Sequence, residues 1–203
     1  NAIIICPGVA ATISTTDIDV NADLIRSATV FMTTLEQPMD AAVRALGIAK
    51  EAGVKTILNP APASNLPDGM LALCDYLTPN QTETETLTGV AAKSVDDARR
   101  AAEIFLSKGV GAAVITLGEK GALFHSTDQS VLVPAVNAAP VVETTGAGDA
   151  FNGGFATALA RGDDPVVAVR VGCATAGLSV TRSGTASSMP VSGEVKELME
   201  RVP

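Results

Sequence analysis

The sequence is poor in the side chains that enzymes most often use. One histidine, His125, and three cysteines, Cys6, Cys74 and Cys173, stand among 203 residues, and aromatic residues make up 3%. With imidazole at one place only, proton transfer near neutral pH falls to a carboxylate. The cysteines are odd in number and lack Cys-x-x-Cys spacing, so they make neither a zinc knuckle nor a disulfide framework and suit a reducing cytosol. Cations are scarce too: 14 Lys and Arg face 22 Asp and Glu, a net charge of -8. Without a basic patch interleaved with aromatics, nucleic acid is excluded as a partner. Apolar runs are short, as in Ala2-Ile3-Ile4-Ile5, so no segment spans a membrane. No basic-flanked secretory segment opens the sequence, and the expected location is the cytoplasm. Linkers, repeats and low-complexity tracts are lacking. At 47% hydrophobic, residues 1–203 read as a single domain with one sizeable core. The chain starts at Asn1 and enters a strand almost at once, which suggests that an upstream part is missing.

What is present alternates between two periods. Short β-branched runs at Ala2–Cys6, Thr29–Thr34, Val54–Leu58, Tyr76–Thr78 and Ala113–Leu117 read as strands, separated by helical stretches, the pattern of βα units on a mostly parallel sheet covered on both faces. Pro38 falls in a first helical turn, with Ala42, Val43, Leu46 and Ala49 on one face and Gly53 closing the element. Ser94 and Asp97 form a capping-box pattern ahead of Ala98, Ala102, Phe105 and Leu106, and Gly109 stops that helix. Lys120 to Val133 breaks the rhythm: two short strands flank a Ser-Thr-Asp turn, predicting an antiparallel hairpin in the C-terminal half. Long helices are predicted over Ala150–Arg161 and Pro165–Thr181, followed by the polar loop RSGTASSMP and an amphipathic helix from about Ser192.

The stretch ETTGAGDAFNGG, residues 143–154, places Asp149 behind Gly146-Ala147-Gly148 and ahead of a helix. The first N–H groups of a helix lack intrahelical partners and carry positive potential. Gly146 and Gly148 remove the side chains that would keep an anion away, which makes a phosphate or oxyanion cradle. A carboxylate beside a bound phosphate makes sense as a base, taking a proton from a hydroxyl while the N–H groups hold charge on a transferring phosphoryl group. Taken alone, the string fits equally a glycine-rich helix start with an aspartate favoured by the dipole.

The neighbouring residues resemble the C-terminal signature of the ribokinase or PfkB-type carbohydrate kinases, written around D-T-x-G-A-G-D, whose last Asp is the catalytic base. TPNQTETE (78–85) is similar to the family's N-x-x-E element, carried here by Asn80 and Glu83, which organises magnesium and the nucleotide phosphates. TLGEKG (116–121) resembles the strand-end loop at those phosphates, with Thr116, Gly118 and Gly121. FMTTLEQP and NPAPA (31–38 and 59–63) resemble the sugar side, with Glu36 reaching the sugar. The resemblance covers nearly all 203 residues and implies a three-layer α/β/α fold. Each residue also has a plainer reading. Asn80 caps a helix, Glu83 is a helix-face glutamate, Gly118 and Gly121 punctuate a hairpin, and Glu36 marks a strand's exit into solvent. Cys173 stands where these kinases often carry a polar residue on the nucleotide side, and His125 aligns with no functional element.

The resemblance further implies a monovalent cation site. Its carboxylate is Glu143, where the family has Asp, joined by Thr145 and by Ser179, Arg182, Gly184 and Ser188 through backbone oxygen or hydroxyl. The alternative for Glu143 is a solvated residue before the glycine turn. The family's N-terminal sugar-binding element and lid are missing from the sequence. The implied function is an ATP-dependent transfer of the γ-phosphoryl group to a primary hydroxyl of a pentose, ribose first, with Mg2+ and K+. Asp149 would touch both the reacting hydroxyl and the base role, with Gly146, Ala147 and Gly148 as the cradle. Kinases for another furanose or a nucleoside, and a non-catalytic nucleotide-binding short form, are the alternatives. The partners implied are the sugar and ATP, with a homodimer in the full-length form and little activity in the isolated 203 residues.

Overall fold

The computed structural model describes residues 6–201. The strand expected over Ala2–Cys6 lies outside them except for Cys6, which has no regular structure. Two short helices, α1 (Thr15–Val20) and α2 (Ala22–Arg26), lead into β1 (Val30–Thr33), α3 (Met39–Glu51) and β2 (Lys55–Leu58). Then come β3 (Tyr76–Leu77), α4 (Gln81–Thr88), α5 (Val95–Ser107), β4 (Ala112–Thr116), β5 (Ala122–Ser126) and β6 (Ser130–Val133). The chain ends in α6 (Ala147–Arg161), α7 (Pro165–Ser179) and α8 (Ser192–Arg201).

The six strands lie in sequence order, β1-β2-β3-β4-β5-β6. The first four are parallel, and β4-β5-β6 are antiparallel. This is the mixed α/β/α arrangement with the predicted hairpin, whose register pairs Ala122 with Val133 and His125 with Ser130. Parallel strands are buried on both faces, and their side chains alternate between two cores. Leu58, Leu77, Ala113 and Ile115 face a core with Leu46 of α3 and Ala102 and Phe105 of α5. Ile57, Ala112, Val114 and Phe124 face the other, with Phe151, Phe155 and Leu159 of α6 and Val169 of α7. A smaller cluster joins Ala22 and Ile25 of α2 to Ala45 and Ile48 of α3.

The helix boundaries follow local chemistry. Ser94 accepts from Asp97 N, and the Asp97 carboxylate accepts from Ser94 N, which closes the predicted capping box. Asp164 accepts from Val166 N and Val167 N ahead of Pro165, so α7 starts at the proline. Helices α6 and α7 approach closely because they carry glycine at the contact. A Cβ on Gly172 would lie 2.9 Å from the Phe151 ring, and one on Gly154 would collide with the Thr175 hydroxyl. Sequence pattern missed α1 and α2, whose five or six residues are too few to show a helical period. No helix among the described residues is long and apolar enough to cross a membrane.

Candidate functional site at the carboxyl edge of the sheet

Parallel strands bring their carboxyl ends to one edge, and open α/β sheets bind ligands there. Glu36 follows β1, Asn59 follows β2, Thr78 and Asn80 follow β3, Thr116 ends β4 and Gly118 follows it. Hydrogen bonds stitch this edge together. Asn59 N donates to Thr33 O and Thr78 N to Leu58 O, each at 2.9 Å. Thr116 N donates to Pro79 O, also at 2.9 Å, and the Asn59 amide donates to Thr78 O at 2.9 Å.

At the start of α4 the Asn80 side chain accepts from Glu83 N at 2.9 Å. The Glu83 carboxylate accepts from Asn80 N at 2.8 Å and from Asn80 Nδ2 at 2.7 Å. Asn80 is thus a helix cap, and Glu83 completes the box. Glu83 is buried, and desolvation raises its pKa above the ordinary glutamate value, against the lowering pull of the Asn80 N–H. Each oxygen accepts one bond and keeps a further lone pair. Magnesium retains water and phosphate ligands and needs few carboxylates, so this group fits an ion held through its water.

The start of α6 is built differently. Gly146 occupies the N-cap with φ of 82°, a left-handed conformation that glycine takes without penalty, and no side chain caps the helix. Ala147 N donates to Thr144 O at 3.2 Å and Ala150 N to Gly146 O at 2.9 Å. The N–H groups of Gly146, Gly148 and Asp149 have no acceptor among the described residues. A Cβ on Gly148 would meet nothing within 4 Å. Asp149 is exposed, and its carboxylate has no hydrogen bond or ion pair among the described residues. An open cradle of N–H groups with a free carboxylate one residue on can hold an anion and accept a proton at neighbouring points.

A groove of about 810 Å³ runs from Asp149 along Gly153 and Thr157 of α6 to Val171, Met189 and Lys196. It does not reach Asn80, Thr116 or Gly118. Glu36 is exposed in the turn after β1. Gly118 has φ of 59° with open space at its Cβ position, whereas Gly121 is buried and abuts the backbone of Val133 to Ala135. The missing side chain at Gly121 therefore serves hairpin packing. Cys173 is buried among the residues of the α6 and α7 core, and burial pushes its thiol up to about 12.

Around Glu143 the side chains of the expected residues make the following contacts. Gly184 N donates to Glu143 Oε2 at 2.8 Å. That bond, with those of the Thr145 and Ser183 hydroxyls, holds the Glu143 carboxyl below the ordinary glutamate value. The Arg182 guanidinium pairs with Glu194 at 2.5 Å. The hydroxyls of Ser179 and Ser188 are buried and donate to Ala176 O and Thr185 O. Ser183 was not anticipated from the sequence, nor was Asn152, a buried amide one turn inside α6. His125 lies in the hairpin with Nδ1 2.9 Å from Ser130 Oγ and Nε2 2.9 Å from Glu103 Oε1.

Sequence and fold place the chain in a known family. The description "pfkB family carbohydrate kinase" matches residues 1–192, and the chain belongs to that family. It is 38% identical over 200 residues to a ribokinase of Haemophilus influenzae, covering 98% of this chain and 65% of the relative. It is 39% identical over 193 residues to a deoxyribokinase of Salmonella typhi, covering 94% and 62%. The structure of Arabidopsis thaliana ribokinase complexed with ribose and ATP superposes with a TM-score of 0.93 at 29% identity, covering 98% of this chain and 65% of that one. The chain thus spans a little under two thirds of the length of these relatives.

Proposed function

We propose that this chain is the nucleotide-binding and base-carrying part of an ATP-dependent sugar kinase, forming one domain with the edge described above. The transfer is of the γ-phosphoryl group to a primary hydroxyl of a pentose, ribose first. The observation that carries the reading is the uncapped start of α6 beside the exposed, unpartnered Asp149. Asp149 takes the hydroxyl proton, and the N–H groups of Gly146, Gly148 and Asp149 hold the charge of the transferring group. Asn80 and Glu83 face the phosphates, Glu83 through the waters of magnesium, which when bound neutralises phosphate charge. Thr116 and Gly118 border the nucleotide phosphates, and Glu36 lies on the sugar side. Potassium would be held by Glu143, Thr145 and oxygens of the 179–188 loop. A second reading, 2-deoxyribose as acceptor, is favoured by the identity to the deoxyribokinase.

Calorimetric titration of the 203-residue chain with MgATP tests the reading, together with ADP release in the presence and absence of ribose. Weak MgATP binding and negligible sugar-dependent turnover are expected, because phosphoryl transfer depends on positioning and exclusion of water, which the family's sugar-binding segment supplies. Absence of binding would overturn the nucleotide assignment. Robust ribose-dependent ADP release would overturn the claim that these residues need that segment.

A further inference from the structure

We infer that Asn152 is a positioning residue: its side-chain amide, joined to Thr78, sets the anion cradle of α6 against the Asn80–Glu83 element. The inference rests on the kinase reading above. Asn152 is 4% exposed and Thr78 is 1% exposed, and they come from elements 74 residues apart. Asn152 Nδ2 donates to Gly148 O at 3.0 Å, inside the cradle. Thr78 Oγ1 donates to Asn152 Oδ1 at 2.7 Å. Two residues after Thr78 comes Asn80, whose side chain caps α4. The amide therefore spans from a cradle carbonyl to the strand end that carries the other phosphate-facing element. A buried amide uses both ends only when both partners are in place, so its geometry fixes their separation.

A core hydrogen bond with no bearing on the site would look similar in a melting experiment, so the test needs a control of matching burial. Thr56 supplies it. Thr56 is 0% exposed, and its hydroxyl donates to Leu73 O at 2.7 Å and accepts from Asp75 N at 2.9 Å at the other end of the sheet. The variants are Thr78→Val, Asn152→Ala, the double variant, Thr78→Ser and Thr56→Val, all in the 203-residue chain. Two quantities are read: amide exchange of Ala150 to Gly153, the first hydrogen-bonded turn of α6, and the ratio of affinities for ATP and AMP.

Thr78→Val and Asn152→Ala should each speed that exchange about tenfold and reduce the ATP to AMP ratio by a similar factor, the scale of one buried hydrogen bond. The double variant should be no worse than either single one, since both cut the same link. Thr78→Ser keeps the hydroxyl and should restore both readings. Thr56→Val should lower the melting temperature yet leave both unchanged. Unaltered exchange in Thr78→Val, or equal changes in Thr56→Val, would overturn the inference. A parent chain that binds ATP no better than AMP would instead sink the kinase reading, while the exchange data still judge the link.

Discussion

Helices α4 and α6 both begin at the carboxyl edge of the sheet, but their first turns are closed by opposite means. At α4 the Asn80 and Glu83 side chains satisfy each other's backbone N–H groups, which leaves those of Gln81 and Thr82 without an acceptor among the described residues. At α6 the cap is a glycine, and three N–H groups have no acceptor among the described residues. A capped start gains local stability and gives up part of its N–H groups to its own side chains. An uncapped one keeps those N–H groups for an anion and must be held in place by tertiary contacts. For α6 these are the glycine-mediated approach of α7 and the buried rings Phe151 and Phe155, stacked with centroids 6.1 Å apart.

The largest effect that can sharpen the contrast is at Asp149. Asp149→Asn keeps size and removes proton acceptance, so turnover should fall by about two to four decades in a kinase of the relatives' length built on this chain. Nucleotide affinity should hardly change. A variant within a few-fold of its parent would remove Asp149 as base. Next in size is Asn80→Ala, which deprives Glu83 N of its acceptor and the buried carboxylate of one donor. A stability loss of about 2 kcal/mol by urea unfolding is expected, at the upper end for a lost cap. A loss of a few tenths would show that the box is dispensable.

Gly148→Ala tests the open start directly. Alanine favours a helix over glycine by up to about 1 kcal/mol, and the added methyl meets no protein atom. Stability should therefore hold or rise while MgATP affinity falls, a divergence that calorimetry and thermal unfolding read on one sample. Loss of both together would mean that the methyl disturbs the fold and not the cradle.

The smallest expected effect is a pH slope. Burial raises the Glu83 pKa above its ordinary 4.5, so over the interval between the two values the folded chain holds a proton that the unfolded chain has released. This contribution is full below the unfolded value and is lost as pH rises through the folded one. Glu83→Gln should remove that decline from the curve of stability against pH, measured by urea unfolding from pH 4 upward. Superimposable curves for parent and variant would mean that Glu83 titrates alike in the folded and unfolded chain.

How legible all this was depended on length scale. The βα alternation, the hairpin and the capping box at Ser94 rest on residues within a few positions of each other, and local pattern carries such features. The candidate edge was readable as separate motifs because 78–85, 116–121 and 143–154 are each contiguous. What could not be read were links between motifs. Nothing adjacent in sequence ties Asn152 to Thr78, and Arg182 gave no sign that it would turn to Glu194, twelve residues on. Gly121 suited a phosphate loop on sequence grounds. Its close approach to Val133 and Ala135 arises only once β5 and β6 pair.

The sequential order of the strands has a bearing on how the chain assembles. Each strand pairs with the next one in sequence, so the sheet grows through short loop closures and can form in the order of synthesis. One face is covered as it grows, by α3 and α5, which lie between the strands they cover. The opposite face has no such partner. Ile57, Val114 and Phe124 wait for helices that begin at residue 147, and Tyr76 meets its ring partner Phe155 only then, at 5.3 Å. A chain halted before residue 147 would carry a finished sheet with one apolar side open to water, the kind of intermediate that aggregates or engages chaperones. The helix that presents the anion cradle is thus also the cover that closes the second core.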